Sequence, residues 1–199
     1  MDQQSAIEEI ALIKRVIDES REFAFNIGMQ ITVWGILISI AVFASYGAIM
    51  LGYGHLAIWF WVVMIGTGWI FSLVKQMRDR AMTESLGAKI VTYVWRSCGI
   101  AMTILGFAGI LSHAVQDWSI APILATIIGI GFAVTALIQR FKWVMSVAAA
   151  WWFGSLLMFL VRSYQALPIF GIMMILFMVV PGMVFHRQWK NKQISIETK

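Results

Sequence analysis

The chain has 199 residues, of which 60% are hydrophobic and only 13% are charged. A soluble domain has about 25% charged residues, so this chain has too little polar material to cover a surface that faces water. Much of it must lie in lipid, which excludes a soluble enzyme, a nucleic-acid-binding domain and a disordered chain. The basic residues behind the net charge of +5 flank apolar runs, as in membrane proteins. The single cysteine, Cys98, excludes a disulfide framework and a cysteine-based zinc site.

Residues 1–26 are predicted to form a cytoplasmic amphipathic helix, because residues 5–25 contain no Pro or Gly and their apolar residues recur at helical spacing. The opposite face is mostly acidic, which suits a protein partner better than anionic lipid. Ile10, Ile13 and Ile17 are therefore the predicted docking residues. The partner is another protein, a second copy in a homo-oligomer, or the chain's own basic loop. The alternative is a solvated extension of the first span.

Six apolar stretches are long enough to cross a bilayer, which takes about 20 residues. They predict an all-α polytopic membrane protein, with six transmembrane helices over residues 27–185 and a basic cytoplasmic tail over 186–199. The segment before the first span is long and acidic, unlike a signal peptide, so this span is expected to be retained. The predicted spans are 27–51, 56–74, 90–111, 120–137, 143–161 and 168–185.

The lysine and arginine residues predict the orientation. Of these 15 residues, all except Arg96 and Arg162 flank the spans on one side. Because such residues stay in the cytoplasm, both termini are expected to be inside.

Arg96 is the only charged residue inside a predicted span. It follows Lys89 by seven residues, which is about 10 Å along a helix. No span contains an acid, so the partner of Arg96 would be a carbonyl, a lipid phosphate or an anionic ligand. Alternatively, the third span begins near Gly99 and Arg96 snorkels to the headgroups.

Aromatic residues near the predicted span ends admit two interpretations. They form belts at the two membrane interfaces, or some of them line a ligand pocket. The predicted outer set is Tyr53, Trp59, Trp61, Trp118 and Tyr164, and the inner set is Trp95, Phe141, Trp143 and Trp189.

Two histidines at predicted span ends, His55 and His113, lie on the outer side with Asp117 nearby. These residue types bind divalent metals, and two histidines ligate haem iron. Haem ligands in membranes usually sit inside helices, however, so the expectation is that the protein has no cofactor.

Small residues recur every four positions in the fourth and fifth spans. This spacing lets helix backbones approach closely, and the short connection over residues 140–142 makes the two spans antiparallel neighbours. The predicted packing residues are Ala125, Gly129 and Ala133 on the fourth span and Ser146, Ala150 and Gly154 on the fifth.

The pattern Ile-x-x-Ile-Lys-x-x-Ile-x-Glu-Ser at residues 10–20, followed by Val33-Trp34-Gly35, resembles small multi-span bacterial membrane proteins of unknown function. Some of those proteins are encoded beside winged-helix transcription regulators. The resemblance implies the inner membrane of a bacterium and a regulatory role.

The chain lacks Gly-x-Ser-x-Gly, His-Glu-x-x-His and Walker sequences, and no span holds a carboxylate pair, so no catalytic activity is expected. The leading hypothesis is a regulatory or assembly protein that docks a protein partner through its N-terminal helix. The alternatives are a small transporter or channel for a neutral or anionic solute, with Arg96 in its path, and a haem- or metal-binding redox subunit.

Overall fold

The computed structural model describes residues 28–78 and 86–187, and every regular element within them is helical. Six of these helices are long and apolar enough to cross a membrane, which confirms the all-helical, six-span prediction. The predicted N-terminal helix and most of the predicted tail lie outside the described residues. The helices are α1 (Gly28–Met50), α2 (Ala57–Arg78), α3 (Leu86–Leu111), α4 (Asp117–Gln139), α5 (Lys142–Val161) and α6 (Ala166–Arg187).

The helices extend beyond several of the predicted apolar stretches. The α3 helix begins at Leu86, about one turn before the predicted start at residue 90, and α2 continues to Arg78 rather than ending at residue 74. Hydropathy marks only the part of a helix that needs lipid, whereas polar and basic side chains continue the same helix into the headgroup region.

Successive helices run antiparallel, so α1, α3 and α5 begin at the end of the bundle where α2, α4 and α6 finish. We name this the basic end. It holds all of the lysine and arginine residues that the structure describes except Arg162, which lies at the opposite end. The residues at or near the basic end are Lys75, Arg78, Lys89, Arg96, Arg140, Lys142 and Arg187.

Glycines bring α1 and α6 into close backbone contact. A Cβ atom added at Gly28 would lie 2.7 Å from the carbonyl oxygen of Gly182, and one added at Gly182 would lie 2.8 Å from the main-chain nitrogen of Thr32. Further along, a Cβ atom at Gly35 would lie 2.8 Å from a methyl group of Val179. Small residues permit such close approach in membrane helices, and here they join helices that are far apart in sequence.

The α4–α5 hairpin is closely packed along its length. Only Arg140 and Phe141 connect the two helices, and Arg140 adopts a left-handed conformation with φ 54°. Between the helices, the Ser155 hydroxyl lies 2.7 Å from the Pro122 carbonyl oxygen and 2.8 Å from the Thr126 hydroxyl. These polar contacts satisfy hydroxyl groups that lipid could not.

The α2 and α3 helices contrast with this hairpin, because their described residues make few close backbone contacts with each other. On its other side α2 packs against α1, where Gly68 accommodates the Trp34 ring. On its other side α3 packs against α4. Both helices contribute residues to the lining of a cavity in the bundle.

Candidate functional site

A cavity of about 590 Å³ lies among α1, α2, α3, α4 and α6. Its volume is within the usual range for small-molecule sites, about 300–1,000 Å³. Four tryptophans, from three different helices, contribute to the wall. They are Trp34, Trp61, Trp69 and Trp95.

Hydrogen bonds hold the tryptophan wall between α1 and α2. The indole Nε1 of Trp34 donates to the Ser72 hydroxyl oxygen at 2.9 Å, and the Gln30 side-chain amide donates to the same oxygen at 3.1 Å. The rings of Trp34 and Trp69 meet edge to face, with their centroids 6.0 Å apart. Because the indole N–H of Trp34 and the side-chain N–H of Gln30 already donate to Ser72, the wall presents mainly aromatic surface to the cavity.

Trp95 is fixed from the other side by α4. Its indole Nε1 donates to the Thr135 hydroxyl oxygen at 3.1 Å, and its ring meets Phe132 edge to face at a centroid distance of 5.1 Å. Gly131 makes room for the ring, because a Cβ atom there would lie 3.3 Å from it. Trp61 and Trp95 were both expected in interfacial belts. Both line the cavity, which is what the alternative interpretation of a ligand pocket predicts.

The polar lining residues gather toward the basic end of the cavity. Lys75, Lys89 and Arg96 contribute positive charge there, whereas the described lining contains no aspartate or glutamate. The described lining therefore carries its charged side chains, all of them basic, at one end of the cavity. This charge attracts anions, the more so because a low-dielectric wall strengthens electrostatic interactions.

Arg96 lies in the third turn of α3, since that helix begins at Leu86. The helix is continuous from Leu86 through Arg96, and snorkelling of Arg96 from this helix to the headgroups stays an alternative. The side chain is half-buried and lines the cavity, and no described residue forms an ion pair or hydrogen bond with it. Arg96 therefore retains five N–H donors for a ligand, a headgroup or water.

The cavity becomes apolar away from the basic end. Along α3 its lining continues through Met102 and Gly106 to Phe107, and Ile120 of α4 contributes at the same end. A Cβ atom added at Gly106 would meet nothing within 4 Å, so this glycine borders open space. The cavity thus combines a cationic end with a long hydrophobic section.

The predicted metal set is not assembled. His55 is exposed in the turn Gly54–Leu56, and His113 is exposed with φ 54° in the connection between α3 and α4. Among the residues that the structure describes, no three His, Cys, Asp or Glu side chains come together to hold a metal ion. The alternative of a metal site formed by His55, His113 and Asp117 is therefore wrong, because these three side chains do not come together.

The predicted packing residues on α4 are all buried. Ala125 and Ala133 lie in the core, and Gly129 accommodates the Trp152 ring of α5. The α4 residues of the predicted stripe therefore lie within the packed bundle, and Gly129 faces α5, as predicted.

The predicted packing residues on α5 are not all buried, and they do not all face α4. Gly154 faces α6 and accommodates Met173, Ala150 is half-buried, and Ser146 is exposed. The prediction that these residues form a flat surface against α4 is wrong, because Trp152 and Ser155 make the contacts with that helix. Period-four spacing identified the small residues but not which neighbour each one faces.

The predicted docking residues Ile10, Ile13 and Ile17 lie outside the described residues. No protein family matches the chain, and neither a curated protein nor a solved structure does. The geometry of the described helices is therefore the structural basis for a functional proposal.

Proposed function

We propose that this chain is a multi-pass membrane protein that binds an anionic ligand with an apolar part inside its helix bundle, as a small transporter or carrier. The observation that supports this proposal is the position of Arg96, which has no partner among the described residues and lines a cavity whose described lining holds no acidic residue. An unpaired charge at this depth is costly, and such a residue usually marks a ligand or ion path. A bound anion offsets that cost.

The tryptophan wall supports the second part of the proposal. Trp34 and Trp69 present ring surface to the cavity, and the lining beyond Arg96 is apolar for several helical turns. A small inorganic anion would leave this surface without a partner, whereas an anion that carries an aromatic or aliphatic body would cover it.

The proposed location is the inner membrane of a bacterium, with the basic end and both termini in the cytoplasm. The charge asymmetry of the described helices supports this orientation, because only Arg162 lies at the opposite end. We propose no catalytic activity and no cofactor.

A second role, docking of a protein partner or of a second copy, is proposed for the N-terminal segment. The apolar stripe at Ile10, Ile13 and Ile17 and the acidic residues around it support this role. It is compatible with a ligand-binding bundle, since a regulatory protein needs both a signal and a partner.

Ligand binding is tested with two brominated anions, bromonaphthalene sulfonate and dibromostearate, which quench nearby indole fluorescence. We expect at least one of them to quench the detergent-solubilised protein saturably. Gly106→Leu should abolish this quenching because the new side chain occupies open cavity space.

Gly66→Leu is the matched control. A Cβ atom at Gly66 also meets nothing within 4 Å, but this residue does not line the cavity. Identical titrations of the two variants, or no saturable quenching of the unmodified protein by either anion, would contradict the proposal.

A further inference from the structure

We infer that the ligand is an anionic membrane lipid that enters the cavity sideways, between α2 and α3, with its phosphate at Lys89 and Arg96. This inference rests on the proposed function and names the class of ligand. Four features of the described helices support it: a lateral opening, a cationic pair, the length of the apolar section, and unfilled space at its far end.

Two observations on α2 and α3 support an opening of the cavity toward lipid between these helices. These helices make few close backbone contacts, and the gap is bridged by the Trp69 ring, which would lie 3.5 Å from a Cβ atom at Gly99. Two lining residues at this gap, Leu73 on α2 and Tyr93 on α3, are 56% and 63% exposed. Apolar surface exposed on membrane-spanning helices faces acyl chains, so the opening is continuous with the bilayer.

The cationic pair fits a phosphate group at that opening. Lys89 and Arg96 are seven residues apart, which places them on the same face of α3. Lys89 is exposed near the start of the helix, and Arg96 is half-buried two turns deeper. Arginine presents a planar fork that binds two phosphate oxygens, and lysine adds a point charge. A phosphodiester at the headgroup level would contact both residues.

The apolar section is long enough for an acyl chain. Beyond Arg96 the lining of α3 runs to Phe107, which at 1.5 Å per residue spans about 17 Å. The hydrocarbon core of a bilayer is about 30 Å thick, so the chains of one leaflet extend about half that distance. A compact solute would occupy only part of this section, whereas an acyl chain anchored at Arg96 would follow its length.

The far end of the section has space that none of the described residues fills. A Cβ atom at Gly106 meets nothing within 4 Å, and the adjacent lining consists of Met102, Phe107 and Ile120. An apolar space of this kind does not hold ordered water well, because its walls offer few hydrogen-bond partners. The end of an acyl chain is a suitable occupant.

The inference is tested by native mass spectrometry of the full-length protein released from detergent. The added ligands are dioleoyl phosphatidylglycerol, dioleoyl phosphatidylcholine and glycerol phosphate, which is the headgroup without chains. We expect one tightly retained molecule of phosphatidylglycerol, and at least tenfold lower occupancy by phosphatidylcholine and by glycerol phosphate. Glycerol phosphate has no acyl chains and therefore lacks the apolar contacts. Arg96→Gln should reduce phosphatidylglycerol binding about tenfold, because it removes charge-assisted hydrogen bonds.

Matched variants separate cavity binding from lipid that adheres to the outside of the bundle. Arg187→Gln removes the same charge at the same end but at a residue outside the cavity lining, and it should bind as the unmodified protein does. Gly106→Leu should lose the retained lipid and Gly66→Leu should keep it, while thermal unfolding shows that both are folded.

Each outcome has a distinct meaning. Equal retention of phosphatidylglycerol by Gly106→Leu and Gly66→Leu would overturn the inference, because the lipid would then lie outside the cavity. Saturable binding of bromonaphthalene sulfonate in the cavity without retained phosphatidylglycerol would overturn the lipid assignment and leave the proposed function in place. Failure of every anion to bind in the cavity would overturn both.

Discussion

The indole Nε1 of Trp151 on α5 donates a hydrogen bond to the main-chain carbonyl oxygen of Phe177 on α6, at 3.3 Å. Four residues after Phe177 comes Pro181, which has no N–H to serve as the α-helical partner of that carbonyl. The segment Ile175–Val179 forms a π-helical turn at the same place. A side chain of α5 thus supplies a donor that the sequence of α6 lacks, at a depth where no water is available.

Replacing this donor should weaken the bundle. Trp151→Phe keeps an aromatic ring in a fully buried position but removes the bond to Phe177. We expect a loss of about 0.6–1.5 kcal/mol in the free energy of unfolding, the range for hydrogen bonds between membrane helices. Unfolding in mixed micelles measures it. Trp59→Phe, at a residue that is 64% exposed, is the control and should change little. Equal stabilities for the two variants would contradict the role of this bond.

Glycine substitutions should differ in cost according to what each glycine faces. Gly129→Leu places its side chain against the rigid Trp152 ring, so we expect a loss of about 1–3 kcal/mol from overpacking. Gly154→Leu meets the flexible end of Met173 and should cost less. Thermal unfolding in detergent ranks the variants.

Gly47→Leu is the control for this series, because a Cβ atom there meets nothing within 4 Å. The expected order of stability loss is Gly129, then Gly154, then Gly47. A Gly129→Leu protein as stable as Gly47→Leu would show that α4 and α5 are not closely packed at Trp152.

The six helices were predictable from the sequence because each needs a long apolar stretch, and that requirement is local. The faces that these helices present to one another were not. Gly28 and Gly182 join α1 to α6, but the two glycines are at opposite ends of the described chain and neither belongs to the stripes in α4 and α5. Trp61 and Trp95 lie near predicted interfaces, yet only the wide spacing of α2 and α3 turns them into parts of a cavity wall.

The surroundings of Arg96 also could not be predicted from the sequence. Its depth along α3 could be estimated from its spacing to Lys89, since helix rise is constant. Whether it faces lipid or the interior depends on neighbouring helices, and hydropathy carries no such information. The structure places it in the cavity lining.

Reporter fusions test the proposed orientation. Fusions after Lys89, Lys142 and Lys199 should report the cytoplasm, because they lie on the side that carries most of the basic residues. Fusions at Gly54, Gln116 and Gln165 should report the opposite side. A cytoplasmic signal at Gln116 would contradict the orientation, since that residue joins α3 to α4.

Substitution of Arg96 by lysine separates anion binding from snorkelling. Lysine reaches the headgroups as arginine does but lacks the planar fork that binds two oxygens. We expect Arg96→Lys to retain the thermal stability of the unmodified protein while binding phosphatidylglycerol severalfold more weakly. Unchanged lipid binding in both Arg96→Lys and Arg96→Ala would remove Arg96 from the site.

The N-terminal segment yields the last prediction. If Ile10, Ile13 and Ile17 dock on a protein, changing all three to Asp should release that partner, because each unpaired charge in an apolar contact costs about 1–3 kcal/mol or more. The six spans should still insert, since insertion depends on the downstream apolar stretches. Cross-linking from an Ile13→Cys variant in a Cys98→Ser background measures the contact, and the product's mass distinguishes a second copy from another protein. Cross-links to lipid alone, with full activity in the triple-Asp variant, would contradict docking and leave ligand binding in the bundle as the function to pursue.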